Sequence, residues 1–86
     1  MMYYVYSISA NTEKITSKAP FDRKARAVEH LQQLAAVAEA IEQDFVFHDG
    51  INQLVINEPD GDKSIFAIGT EKDMATVFVR YGYKQS

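Results

Sequence analysis

Apolar residues recur at spacings of three and four across residues 21–43, which is the pattern of a helix with one buried face. The segment has no glycine and no proline, and its six alanines raise the intrinsic helicity. Pro20 suits the first turn of a helix, where its missing N–H is not needed. We therefore predict a long helix over 21–43, whose apolar stripe contains Val28, Leu31, Leu34, Ala35, Ala38 and Ile41.

Shorter segments of aromatic and β-branched residues flank this helix and predict strands. Tyr4, Tyr6 and Ile8 alternate with their neighbours over 2–9, and the polar segment 14–17 follows a turn at 11–13. Three further strands are predicted at 44–48, 51–57 and 63–69. Turn residues separate them, first Asp49-Gly50 and then the Pro- and Gly-containing segment 58–62, so they form an antiparallel meander.

The C-terminal segment 71–82 fits two structures. Residues 76–81 have strand propensity, but four apolar residues of the segment also share one helical face. We favour the helix, because Thr70 and Asp73 resemble a capping pair and Gly82 is a typical helix stop. The residues on that face are Met74, Val77, Phe78 and Tyr81.

These elements predict one α+β domain over residues 1–86. Its antiparallel sheet has four or five strands, with the long helix and the second, C-terminal helix packed on one face. An antiparallel sheet can leave its other face to water or to a partner. The uncovered face is therefore one candidate binding surface.

Composition indicates a protein that folds in a reducing compartment. The chain is 47% hydrophobic with a net charge of −3, unlike a disordered segment. It contains no cysteine, which excludes disulfides, thiolate metal sites and a cysteine nucleophile. No apolar run reaches the length of a membrane span, and the first residues do not resemble a secretory signal. We expect a cytoplasmic protein without contact with a membrane.

Charge is segregated along the chain. Residues 1–28 carry five basic and two acidic side chains, whereas residues 29–73 carry ten acidic and two basic ones. Arg23, Lys24 and Arg26 fall near the start of the predicted helix, where the macrodipole disfavours cations. They are candidates for contact with an anion or a phosphate backbone, but a solvated helix end partly neutralised by Asp22 and Glu29 is the favoured interpretation.

No cofactor or metal site is predicted. The acidic turn with Glu58, Asp60 and Asp62 does not match a calcium-binding loop, because Lys63 and Gly69 fall where glycine and glutamate are required. His30 and His48 lack metal-ligand spacing. The turn is instead a candidate surface for a positively charged partner.

The outward side of the predicted helix carries more apolar surface than one sheet can cover. Ala36 and Ala40 fall opposite the buried stripe, and Val37 lies between them and that stripe. A helix that is apolar all round is expected to be covered all round. Ala36, Val37 and Ala40 are therefore the predicted interface with a protein partner or a second copy of the chain.

These observations favour a small non-enzymatic interaction protein, a homodimer or a binder of another protein. Its acidity suits a basic, nucleic-acid-binding partner, as with inhibitors from phage and mobile elements. The alternative is a nucleic-acid-associated protein that uses Lys14, Lys18 and the cations at the helix start. A third reading is an enzyme whose site forms only between subunits.

Overall fold

Five strands and one helix make up the part of the chain that the computed structural model describes, which is residues 2–48, 50 and 52–70. The class is α+β, as predicted. In chain order the elements are β1 (Tyr3–Ser9), β2 (Lys14–Phe21), α1 (Lys24–Ala40), β3 (Asp44–His48), β4 (Gln53–Asn57) and β5 (Lys63–Gly69). The predicted helix over 71–82 lies outside the described residues.

The strands form a single antiparallel sheet in the order β2-β1-β5-β4-β3. The two hairpins β3-β4 and β4-β5 form the predicted meander, and β5 joins it to β1 with Val5 opposite Ile68. The first strand is therefore an interior strand, which is consistent with its apolar residues on both sides.

Strands β2 and β3 form the edges of this sheet. Strand β2 carries the features that usually protect an edge from pairing with another chain: Lys14, Lys18 and Pro20 lie on it, and its register with β1 shifts between Ser7 and Ile8. The 14–17 prediction was too short, because β2 continues to Phe21.

The helix spans Lys24–Ala40, shorter at both ends than the predicted 21–43, and Pro20 does not lie in its first turn. Pro20 instead pairs with Tyr4 at the edge of the sheet, a position that tolerates a missing N–H. Arg23 is the N-cap and makes no side-chain capping hydrogen bond, and the first turn contains no acidic residue. The start of α1 therefore lacks the usual stabilising side chains.

The helix ends in a Schellman motif. The backbone N–H of Gln43 donates to the carbonyl of Ala38 at 2.8 Å, and that of Glu42 donates to the carbonyl of Glu39 at 3.1 Å. Glu42 adopts the left-handed conformation that this motif requires, with φ 59°. Glycine is the usual residue there, because a side chain makes the conformation costly.

One face of α1 packs on the sheet and forms the larger core cluster. Ala27, Leu31, Ala35 and Ala38 are buried against strand residues that include Val5, Leu54 and Ile56. Three of the four helix residues are alanines, so the helix approaches the sheet closely. The predicted stripe was too wide at its C-terminal end, since Ile41 is 61% exposed.

The opposite face of the sheet carries a second apolar cluster. Tyr6, Ile8, Ile65 and Ala67 are each at most 1% exposed, and β1 and β5 bring them side by side. The expectation of a sheet face open to a partner is therefore wrong for this central strip. Alternate residues of β1 point to opposite faces, and both sets are apolar or buried.

We predict that Leu31→Ala lowers the free energy of unfolding by about 2–5 kcal/mol, because Leu31 is fully buried between α1 and the sheet. Val37→Ala, on the outer side of the same helix, should change it by less than about 0.5 kcal/mol. Urea denaturation at a concentration low enough to avoid association measures both. Equal effects would contradict the observed orientation of α1.

We also predict that Glu42→Gly stabilises the monomer by about 1 kcal/mol, since glycine adopts the left-handed conformation without a side-chain clash. Glu13 and Asn52 are the other two described non-glycine residues with positive φ, and Glu13→Gly provides a glutamate comparison away from the helix. Urea midpoints measure the effect. A destabilised Glu42→Gly variant would show that the glutamate side chain makes a contact worth more than the strain.

Candidate interaction surface

The outer side of α1 presents a row of residues spaced alternately by four and three. This outer row consists of Arg26, His30, Gln33, Val37 and Ala40. Such spacing keeps side chains on one side of a helix and is the spacing of helix–helix seams. All of them except His30 are exposed, and His30 is half-buried.

The C-terminal half of this row is apolar. Val37 and Ile41 are 56% and 61% exposed, the two highest values among the large hydrophobic residues in the described part of the chain. They stand four residues apart, so their side chains are neighbours on the helix surface. The exposed Ala36 and Ala40 lie beside them. The predicted interface residues Ala36, Val37 and Ala40 thus belong to one exposed apolar patch, which also includes Ile41.

The N-terminal half of the outer row is polar and contacts β2. The His30 ring lies 5.1 Å from that of Phe21, tilted by 40°. This contact explains why His30 is partly buried, and it places this flank of α1 toward β2. His48, the other histidine, is exposed on β3. The two histidines therefore lie on separate elements, as their sequence positions indicated.

The two ends of α1 carry charges of the unfavourable sign for the helix dipole. Arg23, Lys24 and Arg26 are exposed at its start, and the exposed Glu39 and Glu42 stand at its end. Among the residues that the structure describes, no ion pair neutralises these five side chains. Each unfavourable charge costs about 0.3–1 kcal/mol at low ionic strength.

The predicted acidic surface is engaged in folding its own turn. Asp62 accepts the Ser9 hydroxyl at 2.6 Å and the backbone N–H groups of Asn11 and Lys63 at 3.0 and 2.7 Å. Asp60 accepts the backbone N–H of Asp62, and Glu58 accepts the Ser64 hydroxyl at 2.9 Å. The bonds of Asp62 with Ser9 and Asn11 tie the β4–β5 turn to the β1–β2 turn, whereas those of Asp60 and Glu58 stay within the β4–β5 hairpin. The three carboxylates are therefore partly used within the chain.

These hydrogen bonds also shift the titration of Asp62. Donation from the Ser9 hydroxyl is the largest cause, and it lowers the pKa of Asp62 below the ordinary value of 3.8. Desolvation opposes it, and the backbone N–H groups of Asn11, Lys63 and Ala10 lower the pKa further. Because the folded pKa lies below the unfolded one, the stabilisation is complete above about pH 3.8. It is lost as the pH falls through the lower, folded pKa.

A hydroxyl cluster lies next to this turn, between β1 and β2. The Ser7 hydroxyl is 2.6 Å from both the Thr16 and the Ser17 hydroxyls, and the Thr16 hydroxyl also contacts the Ser7 carbonyl. Ser7 is buried, and its hydroxyl is used in pairing two strands. Sequence reasoning found neither this cluster nor the Ser9–Asp62 bond, because each depends on strand register.

Within residues 2–48, 50 and 52–70, no three or more histidine and acidic residues converge as metal ligands. Helix α1 is too short and too polar to cross a membrane. The chain matches no protein family, no curated protein and no solved structure.

We predict that Ser9→Ala raises the pKa of Asp62 toward 3.8, since the largest cause of its lowering is removed. Ser64→Ala is the matched control, because its hydroxyl donates to Glu58 instead. NMR titration of the Asp62 carboxyl carbon measures both variants. An unchanged Asp62 titration in Ser9→Ala would show that the backbone donors alone hold the carboxylate.

Proposed function

We propose that this chain is a small, non-enzymatic interaction protein that self-associates through the outer row of α1. The observation that carries this proposal is the exposure of Val37 and Ile41 side by side on a helix whose other side is fully packed. Large hydrophobic side chains scattered singly on a surface need no explanation, but a contiguous pair next to small residues suits a helix–helix contact.

The outer row is a better candidate than the acidic turn. The carboxylates of Glu58, Asp60 and Asp62 accept hydrogen bonds from within the chain, so a basic partner would compete with existing donors. Val37, Ala40 and Ile41 are instead exposed, and covering them removes apolar surface from water. A basic protein partner therefore remains a weaker proposal than a partner for the helix.

Nucleic-acid association is the second candidate function, and one observation favours it. Lys14 and Lys18 are exposed on β2, and Arg23, Lys24 and Arg26 are exposed at the start of α1, the element that follows β2. Lys18 also lies over the Tyr4 ring, 4.5 Å from its centroid. These five cations could contact phosphates, and such binding would weaken steeply with salt.

The aromatic side chains support nucleic-acid binding less well than the cations do. Tyr6 is fully buried, and Tyr3 and Phe66 pack against the cluster under α1. Base stacking requires exposed rings on one surface. The structure divides these rings between the two faces of the sheet, so a nucleic acid would have to rely on the cations.

We predict that Val37→Glu weakens self-association and leaves the monomer folded, because it places a charge within the proposed contact at a position that is exposed in the single chain. Gln32→Glu is the matched control: it adds the same charge to the same helix, five residues away on another side. Sedimentation velocity at micromolar concentration, with circular dichroism as a check of folding, measures the effect.

The unchanged chain should sediment as a species heavier than 9.7 kDa, and so should Gln32→Glu. Leu31→Glu should unfold, since it would bury an unpaired carboxylate. A clean monomer at all concentrations would contradict the proposal. So would a Val37→Glu variant that assembles as well as the unchanged chain.

A further inference from the structure

A strip along the middle of the second sheet face, the face opposite to α1, is buried. It consists of Tyr6 and Ile8 on β1, Ile65 and Ala67 on β5, and Gln53, which pairs with Ala67 from β4. The first four side chains are at most 1% exposed, and Gln53 is 6% exposed. Alternate side chains of a strand project from each face of a sheet and meet water where that face is bare. A further layer must therefore cover this strip.

The covering layer belongs to the same chain, because the strip is buried within a single copy. Among the residues that the structure describes, the one helix packs on the other face, against Val5 and Leu54, and all five strands lie within the sheet itself. The layer must come from the remaining positions, which are 1, 49, 51 and 71–86. Of these, only 71–86 is long enough to form a layer.

The outline of the buried strip gives the width of the covering layer. On the same face of the two outer strands, side chains are exposed: Lys18 on β2, which pairs with Tyr6, and Val46 on β3, which pairs with Val55. The covered strands are β1, β5 and one end of β4, which together span about 10 Å at a spacing of about 4.8 Å. A helix with its side chains is about 10–12 Å wide. The strip is therefore as wide as a single helix.

The burial of the strip also separates the two structures that fit the segment 71–82. A strand satisfies its backbone N–H and C=O groups by pairing at an edge of the sheet, and the edges of the described sheet are β2 and β3. It would then lie beside the sheet and leave the central strip bare. A helix satisfies its own backbone groups and can lie across the face. The apolar residues on one side of that helix would contact the strip, and they are Met74, Val77, Phe78 and Tyr81.

We propose that residues 71–82 form a helix that lies along β1 and β5 on the face opposite to α1. The sheet is then enclosed between two helices, whereas the sequence pattern alone placed both helices on one face. The central strip is closed by the chain itself and is not a surface for a partner. This inference does not rest on the proposed function, because the outer row of α1 lies on the other side of the sheet.

The end of β5 is in the right place for this helix. The strand ends at Gly69, opposite Tyr4 of β1, and β1 and β5 are both interior strands. A reversal of the chain directly after Gly69 brings the following residues over Ala67 and Ile65. The distance along β5 from Gly69 to Ile65 is about 13 Å at 3.3 Å per residue. A helix of about 12 residues is about 18 Å long, so it covers the whole strip.

Identical substitutions at Val77 and Val79 test the helix in the full-length chain. On a helix these side chains point about 200° apart, so Val77 faces the sheet and Val79 faces water. On a strand both would point to the same side. Val77→Asp should raise the equilibrium constant of unfolding at least about tenfold, because it buries an unpaired carboxylate. Val79→Asp should change it by less than about threefold. Urea denaturation measures both, and equal effects, or a larger effect of Val79→Asp, would overturn the proposal.

The face on which the helix lies has a separate test that leaves the buried side chains unchanged. The chain contains no cysteine, so Thr76→Cys provides a single site for a nitroxide label on the outer side of the proposed helix. The label should broaden away the methyl signals of Ile8 and Ile65 and retain that of Leu31, which lies beyond the sheet. Loss of the Leu31 signal with that of Ile65 retained would place the segment on the α1 side. That result, or equal broadening of all three signals, would overturn the proposal.

These measurements separate the inference from the proposed function. Both are made at a concentration low enough to avoid association, so they report on the single chain whether or not it assembles. If Val77→Asp and Val79→Asp have equal effects while Val37→Glu weakens assembly, the covering helix is wrong and the outer row of α1 is still an interface. If the nitroxide and the two aspartates give the expected results while the unchanged chain is a monomer, the covering helix is correct and self-association is wrong.

Discussion

The packing of α1 on the sheet determines which surfaces of this protein are left for other molecules. The helix meets the sheet through a narrow stripe of one leucine and three alanines. Small side chains allow close approach, and at about 100° per residue a narrow stripe leaves the positions beside it outside the contact. Val37 and Ile41 consequently remain outside the core although both are as apolar as the residues inside it. The proposed contact is thus a direct result of the way in which the core is built.

Hydrophobic periodicity predicted well those elements whose structure depends on a single local segment of the chain. The alternation in β1, the long helical segment and the turn residues between β4 and β5 gave the α+β class and the meander. Strands β3 and β5 have the predicted bounds. The error at Pro20 has a tertiary cause, because pairing with Tyr4 in an edge strand competes with the first turn of a helix and prevails.

Other features depend on partners that are distant in sequence, and no local pattern shows them. The bond from Ser9 to Asp62 spans more than fifty residues and requires the register of β1 with β5. Burial of Tyr6 and Ile65 on the second face likewise follows from strand pairing. The exposure of Ile41 depends on where α1 leaves the sheet, and the left-handed Glu42 carries none of the glycine signal that normally marks a helix end.

The central claim concerns the side of α1 that faces away from the sheet, and methyl NMR of the unchanged protein tests it without any substitution. Val46 and Ile15 are also exposed, on β3 and β2, and serve as internal controls. On raising the concentration through the micromolar range, the methyl signals of Val37 and Ile41 should shift while those of Val46 and Ile15 stay constant. Shifts confined to Val46 and Ile15, or none at any concentration, would contradict the account.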